Sequence, residues 1–277
     1  MIAPEGVDPL AFEVTGKGPL LRGESAGRGQ DVFLCHGLSA TRSYVVHGSR
    51  FLPRHGFRVH TYDARGHGAS EPGADGYDYQ LLTDDLGRVI GDRAGDGSLV
   101  VGGHSMGSHT ALTYALRSQD SLVALILISP VFIPLTDGGP DLTRWDARAD
   151  ALESGGPSAF GREAAEGIER AEYRETVERL ATERAALHAH PAAVADALRQ
   201  VPRSWPFNSM EDLARLKMPV LVIGTGDGAD PGHPFEVAER YADAIPDSRL
   251  VTEEPGESPL SWQGGRLSRE IATFLNG

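Results

Sequence analysis

Residues 102–116, GGHSMGSHTALTYAL, decide how the rest of the chain is read. Gly103-His104-Ser105-Met106-Gly107 fits the pattern G-x-S-x-G, with an apolar strand-like run before it and an Ala/Leu-rich helical segment after it. A strand that turns at once into a helix must make a sharp, strained corner. Residues with only hydrogen for a side chain, two before and two after the serine, make that corner passable. The hydroxyl is then pushed out at a helix N-terminus, where the helix dipole favours negative charge. The amide of Met106 points at the same spot and can donate to an oxyanion. Ser105 is therefore the candidate nucleophile. A chance Gly-rich turn would explain the five letters but not the strand and helix around them.

Further apolar, β-branched-rich runs lie to either side. They are DVFLCHG (31–37), FRVHTYDARGHG (57–68), VALILISPV (123–131), MPVLVIGTGD (218–227) and SRLVTEE (248–254), with SLVVGGHSMG (98–107) leading into the elbow. Runs that are apolar without alternation suggest strands buried on both faces of a parallel sheet. Helical segments near 42–55, 79–93, 106–118, 234–244 and 265–275 separate them. Strand and helix in alternation predict a mostly parallel, doubly wound α/β sheet, with the ligand site at the carboxyl ends of the strands.

Residues 136–212 break the rhythm. The segment shows no strand and is rich in Ala, Glu and Arg. Tyr173, Val177, Leu180 and Leu187 recur at helical spacing and predict one apolar helix face. We expect a helical cap over the site, whose apolar face shapes a pocket, with the core formed by 1–135 and 213–277. The charged run GREAAEGIERAEYRETVERLATER reads as a solvated helix face.

Composition narrows the function classes. The formal net charge is −13, which speaks against nucleic acid or an anionic membrane as a partner. The expected partner is a small-molecule substrate, with a homodimer left open. The single cysteine, Cys35, fits a reducing compartment, and MIAPEGVDPL at the start does not read as a signal peptide, so a cytoplasmic setting is expected. The longest apolar run, LVALILISPVFIPL (122–135), is too short and interrupted to span a bilayer. No metal or organic cofactor is implied. GTGDGA (224–229) imitates a dinucleotide fingerprint, but Asp230-Pro231-Gly232 prevents the helix that must follow. His188 and His190 lack a Cys or carboxylate at ligand spacing and read as a helix end.

Taken together, HG at 36–37, DARGHGAS at 63–70, GHSMG at 103–107 and PVLVIGTGD at 219–227 resemble the α/β-hydrolase family over essentially the whole chain. The resemblance implies a cap between the sixth and seventh strands, a Ser–acid–His order and a second oxyanion donor after an early strand. That donor would be the amide of Leu38, with His36 a structural loop residue. Asp63, Arg65 and His67 would tie a turn at the sheet edge. The acid would be Asp227, with Asp230 as second choice.

The family's histidine belongs in the loop after the last strand, and there Glu257 stands in EEPGESPLSW (253–262). The last histidine of the chain is His233. A carboxylate, with a reference pKa of about 4.3 against about 6.5 for imidazole, is a poor acceptor for a serine proton. Two readings stay open. In one, roles are exchanged, with His233 as base and Asp227 or Glu257 behind it, since a triad is defined by geometry and not by chain order. In the other, His233 is a surface residue between two prolines and the chain keeps the fold without the chemistry. His109, one turn past Ser105, is expected to pack. The implied activity is hydrolysis of a small, largely apolar ester, lactone, thioester or C–C bonded ketone.

Overall fold

A computed structural model describes residues 7–134, 142–168, 171–226 and 230–277. Eight strands form one sheet: β1 (Leu10–Val14), β2 (Leu21–Gly27), β3 (Gln30–Cys35), β4 (Phe57–Tyr62), β5 (Leu99–His104), β6 (Leu122–Ile128), β7 (Val220–Ile223) and β8 (Ser248–Val251). Their order is β1-β2-β4-β3-β5-β6-β7-β8. The pairs from β4 through β8 are parallel, and β1 and β2 join antiparallel at one edge.

The unbroken apolar runs are explained by the pleat. Phe33, Val101, Leu125 and Leu127 point to one face of the sheet, while Val32, Leu34, Val100, Ile126 and Ile128 point to the other. Both faces are covered. Helices α2 (Tyr79–Arg93), α3 (Met106–Arg117) and α7 (Phe235–Ala244) supply Leu86, Leu112 and Tyr241 to the first core. Helices α1 (Phe51–Arg54) and α8 (Gly264–Leu275) supply Leu52, Leu267 and Ile271 to the second. Helix α2 starts where Asp78 accepts a hydrogen bond from the Leu81 amide at 2.7 Å, an N-cap. The segment expected as helix over 42–55 is instead a 3₁₀ turn at Arg42–Tyr44 and the short α1.

Between β6 and β7 the chain inserts α4 (Thr143–Ala165), α5 (Ala171–Ala185) and α6 (Pro191–Gln200). Helix α4 is kinked where Gly156 takes φ +64° just before Pro157. The three pack around Leu152, Phe160, Ala181, Val194 and Leu198, a cluster of their own with Leu38 against it. Val177 and Leu180 face a cavity at the strand ends, as the apolar face predicted. Leu187 lies past the end of α5 and is exposed. Among the described residues no helix is long and apolar enough to cross a membrane.

Candidate active site

Ser105 sits between β5 and α3 with φ 52° and ψ −115°, a backbone conformation that a non-glycine residue adopts only under strain. Its amide donates to the Ile128 carbonyl at 2.9 Å, which holds the corner against β6. A side chain at Gly103 or Gly107 would run into the Cys35 carbonyl, so both glycines let the elbow press against the end of β3. The loop after β3 passes beside the serine, because a Cβ on Gly37 would lie 3.5 Å from Ser105 Cβ. Leu38 follows and lines the same cavity as Ser105. Met106 is the first residue of α3, so its amide has no acceptor within the helix. Both amides expected as oxyanion donors thus belong to segments that flank Ser105.

The cavity above has a volume of about 330 Å³. Trp145, Phe160, Val177 and Leu180 of the inserted helices form an apolar wall, and Ser105, His104 and His233 lie on the core side. The structure therefore brings His233 into the same space as Ser105. Its Nδ1 lies 2.9 Å from Asp230 Oδ2, and the turn is closed by a hydrogen bond from the His233 amide to the Asp230 carbonyl at 3.0 Å. The His233 ring is 5.2 Å from that of His104, the residue before Ser105. Among the described residues no hydrogen bond joins His233 to Ser105.

Electrostatics sort these groups. Burial pushes the Asp230 carboxyl up, but its electrostatic interaction and hydrogen bond with His233, together with His104 and Arg184, outweigh it and hold the group down at about 2. Asp230 is an anion at neutral pH. Burial, aided by the neighbouring His233, takes His104 down to about 3, so His104 stays neutral. His109 is likewise taken to about 3, first by burial and then by His233. Its Nδ1 is 3.1 Å from the Tyr79 hydroxyl and its Nε2 accepts from the amides of Val131 and Phe132 at 3.2 Å each, so it packs.

Other residues singled out from the sequence take different places. Asp227 lies outside the described residues. Glu257 requires a correction: the structure does not bring it to Ser105. Its carboxylate is exposed, is paired with Arg266, and accepts from the Glu254 amide at 3.2 Å. That guanidinium, with the Glu254 amide, holds it below the ordinary glutamate value. The physical reason is plain: an anion turned outward keeps its water and gains a cation, whereas in the cavity it would crowd Asp230.

His36 is structural, with Nδ1 2.8 Å from the Gly37 carbonyl and Nε2 accepting from the Ala64 amide at 2.9 Å. Asp63 pairs with Arg42 and accepts from the Ala69 amide, and Arg65 is bound to Asp85 at 2.7 Å. His188 is more than a helix end. It is buried, accepts from the Gly68 amide at 2.8 Å and lies 3.2 Å from the Ser39 carbonyl, and so ties the inserted helices to two core loops. Among the described residues no group of three His, Cys, Asp or Glu is placed to hold a metal ion.

Three features escaped the sequence reading. Glu253 is buried and accepts from the amides of Gly226 at 2.7 Å and Leu260 at 2.9 Å, joining the loops after β7 and β8. His104, the variable residue of the elbow pattern, stands against His233. Arg144, Arg148 and Arg184 line the cavity, although the run containing Arg184 reads as a solvated face. The signal for the last was spacing: Val177, Leu180 and Arg184 share one helix face at i, i+3 and i+7.

Comparison with known proteins agrees with the fold. The family model described as alpha/beta hydrolase fold matches residues 32–264. A relative from Synechocystis sp., provisionally named a non-heme chloroperoxidase, is 30% identical over 256 residues, 86% of this chain and 88% of that protein. The non-heme chloroperoxidase CPO-A1 of Kitasatospora aureofaciens is 29% identical over 90% of this chain and 94% of its own. Among solved structures, a thermophilic esterase from Thermogutta terrifontis superposes with a TM-score of 0.76 at 25% identity, covering 97% of this chain and 98% of that one.

Proposed function

Because the chain belongs to the α/β-hydrolase family, we propose that it hydrolyses small esters or lactones through Ser105, with His233 as the base and Asp230 as the acid that orients it. The observation that carries this reading is the contact of 2.9 Å between His233 Nδ1 and Asp230 Oδ2 in a cavity shared with Ser105. With Nδ1–H donated to the carboxylate, Nε2 is the nitrogen that accepts a proton.

The steps follow from that tautomer. Ser105 Oγ attacks the carbonyl carbon while its proton passes to His233 Nε2, and the oxyanion meets the amides of Leu38 and Met106. Collapse of the adduct breaks the C–O bond, and the leaving oxygen takes the proton from His233. Water then attacks the acyl-serine, gives its proton to the same imidazole, and the acid leaves as Ser105 recovers its hydrogen. Asp230 stays ionised throughout and stabilises the imidazolium. A thioester or a C–C bonded ketone would change only the leaving group. Helices α4 to α6, within 136–212, act as a cap that excludes water, on a core of 1–135 and 213–277. The buried thiol of Cys35 supports a reducing, cytoplasmic setting.

The rival is a ligand-binding member of the fold, favoured by Glu257 where the family resemblance implies a histidine. A fluorophosphonate probe and 4-nitrophenyl butyrate separate the two. Labelling of Ser105, with turnover that falls by about four orders of magnitude or more in Ser105→Ala, is expected of the hydrolase. A folded chain that is neither labelled nor active would be the binding member.

A further inference from the structure

Three arginines in the cavity wall have no part in the hydrolytic steps. Arg144 and Arg148 stand on α4 and Arg184 on α5, and all three line the space above Ser105. Arg148 and Arg184 are half-buried, and the Nε of each is buried without a hydrogen-bond partner. Their guanidiniums lie over rings: Arg148 is 5.1 Å from the Trp145 centroid and Arg184 is 5.9 Å from that of Tyr44. Among the described residues neither forms an ion pair.

Elsewhere this chain treats arginine differently. Arg58 is held by Asp31, Arg65 by Asp75 and Asp85, and Arg199 by Asp150 and Glu153. With 39 acidic residues against 26 basic ones, carboxylates are plentiful. Among the described residues the carboxylates facing the cavity arginines are few. Asp230 is hydrogen-bonded to His233 and acts on Arg148 and Arg184 only through space, Glu166 stands exposed at the cavity wall, and Glu163 acts on Arg148 from its own helix. Burial, with Arg144 and Arg184 nearby, takes Arg148 down to about 10. Cations clustered at a cavity wall with few paired carboxylates among the described residues oppose folding, and an anion docked between them would relieve that cost.

We propose that the substrate is an acid as well as an ester or lactone: a free carboxylate docks on Arg148 and Arg184 while the scissile carbonyl meets Ser105. This narrows the expectation of a largely apolar substrate to one whose apolar body carries an anionic end. It rests on the proposed hydrolysis only for the carbonyl, and the test keeps the two apart.

Calorimetry on Ser105→Ala, which needs no turnover, compares monomethyl glutarate with dimethyl glutarate. The half-ester should bind about tenfold or more tightly, with an advantage that shrinks as sodium chloride rises. Arg148→Gln with Arg184→Gln should erase the advantage, and Arg148→Lys alone should keep part of it. In the natural chain the ratio of kcat/KM for the half-ester over the diester should move in parallel. Equal binding of the two esters, or an advantage that survives the double substitution, would overturn the proposal. Should the double variant fail to fold, salt dependence and Arg148→Lys decide the matter. Preferential binding without any hydrolysis would sink the hydrolase reading and leave this one standing, and hydrolysis without preference would do the reverse.

Discussion

The loops after β7 and β8 leave neighbouring strand ends, yet they send their charged side chains in opposite directions. After β7, Asp230 and His233 turn into the cavity and bind one another. After β8, Glu253 turns inward to backbone amides and Glu257 turns out to water and Arg266. The family resemblance implies a base after β8, whereas the imidazole that shares the cavity with Ser105 stands after β7. If His233 is the base, as proposed, the fold prescribes a place at the strand ends and not a chain position. A four-residue turn, Asp230 to His233, can hold acid and base together, because the two groups face each other at i and i+3 and one hydrogen bond fixes the tautomer. Once that pair is present, a second carboxylate directly beside His233 would repel Asp230.

The hardest blow to this contrast is His233→Ala. If the β7 loop holds the base, ester turnover should fall by about three orders of magnitude, near the scale of losing the nucleophile. Asp230→Asn should follow at about two orders, since the amide keeps the size but no longer holds imidazolium or enforces the tautomer. Steady-state kcat on 4-nitrophenyl butyrate measures both. Wild-type turnover in His233→Ala would remove the base from the β7 loop and the contrast with it.

The two loops also show where sequence reading works. The central strands were legible because both of their faces are buried, which leaves apolar letters at every position from Val32 to Leu34 and from Leu125 to Ile128. Strands β1 and β2 were not. At the edge, β2 reads LRGESAG, and half-buried Arg22 and Glu24 interrupt the apolar pattern. Ser105 was legible because a strained corner demands glycines at fixed offsets. His233 was legible as a candidate, since it is the last histidine before the empty position. Of the two acids, Asp227 matches the family's loop by letters and lies outside the described residues, whereas Asp230 makes the contact with His233. Such contacts depend on how a turn closes, and letters carry little of that. Arg184 was misread because charge usually marks a solvated face, and only its spacing with Leu180 and Val177 argued otherwise.

Glu253 sharpens the contrast by testing what the β8 loop does in place of acid–base chemistry. Its buried carboxylate accepts from one amide in each loop. Glu253→Ala leaves both donors without that acceptor and should cost about 2–4 kcal/mol in chemical denaturation, with Glu253→Gln milder because one acceptor oxygen remains. Turnover per folded molecule should drop less than in Asp230→Asn, as the loops loosen but both catalytic groups persist. A loss of stability below about 0.5 kcal/mol would mean the loops are held by other means.

Glu257 gives the smallest expected effect and the finest discrimination. Its carboxylate is exposed and touches Arg266 and the Glu254 amide, groups that water solvates equally well. Glu257→Gln should therefore change kcat by less than about twofold. Were this residue the acid behind His233, the same change would remove the charge that holds imidazolium, and the loss would approach that of Asp230→Asn. Glu257→His asks the converse question. In the His233→Ala background it offers an imidazole at the position the family resemblance implies, but on a loop that here directs its side chain outward. No recovery of turnover is expected, because the backbone after Gly256, which takes φ +86°, and the hydrogen bond from the Glu257 amide to the Glu254 carbonyl at 3.0 Å define a turn at the surface. Recovery to within tenfold of the natural chain would show that the β8 loop can still swing a side chain to Ser105. The separation of duties between the two loops would then be a matter of which residue is present, and not of where the backbone points.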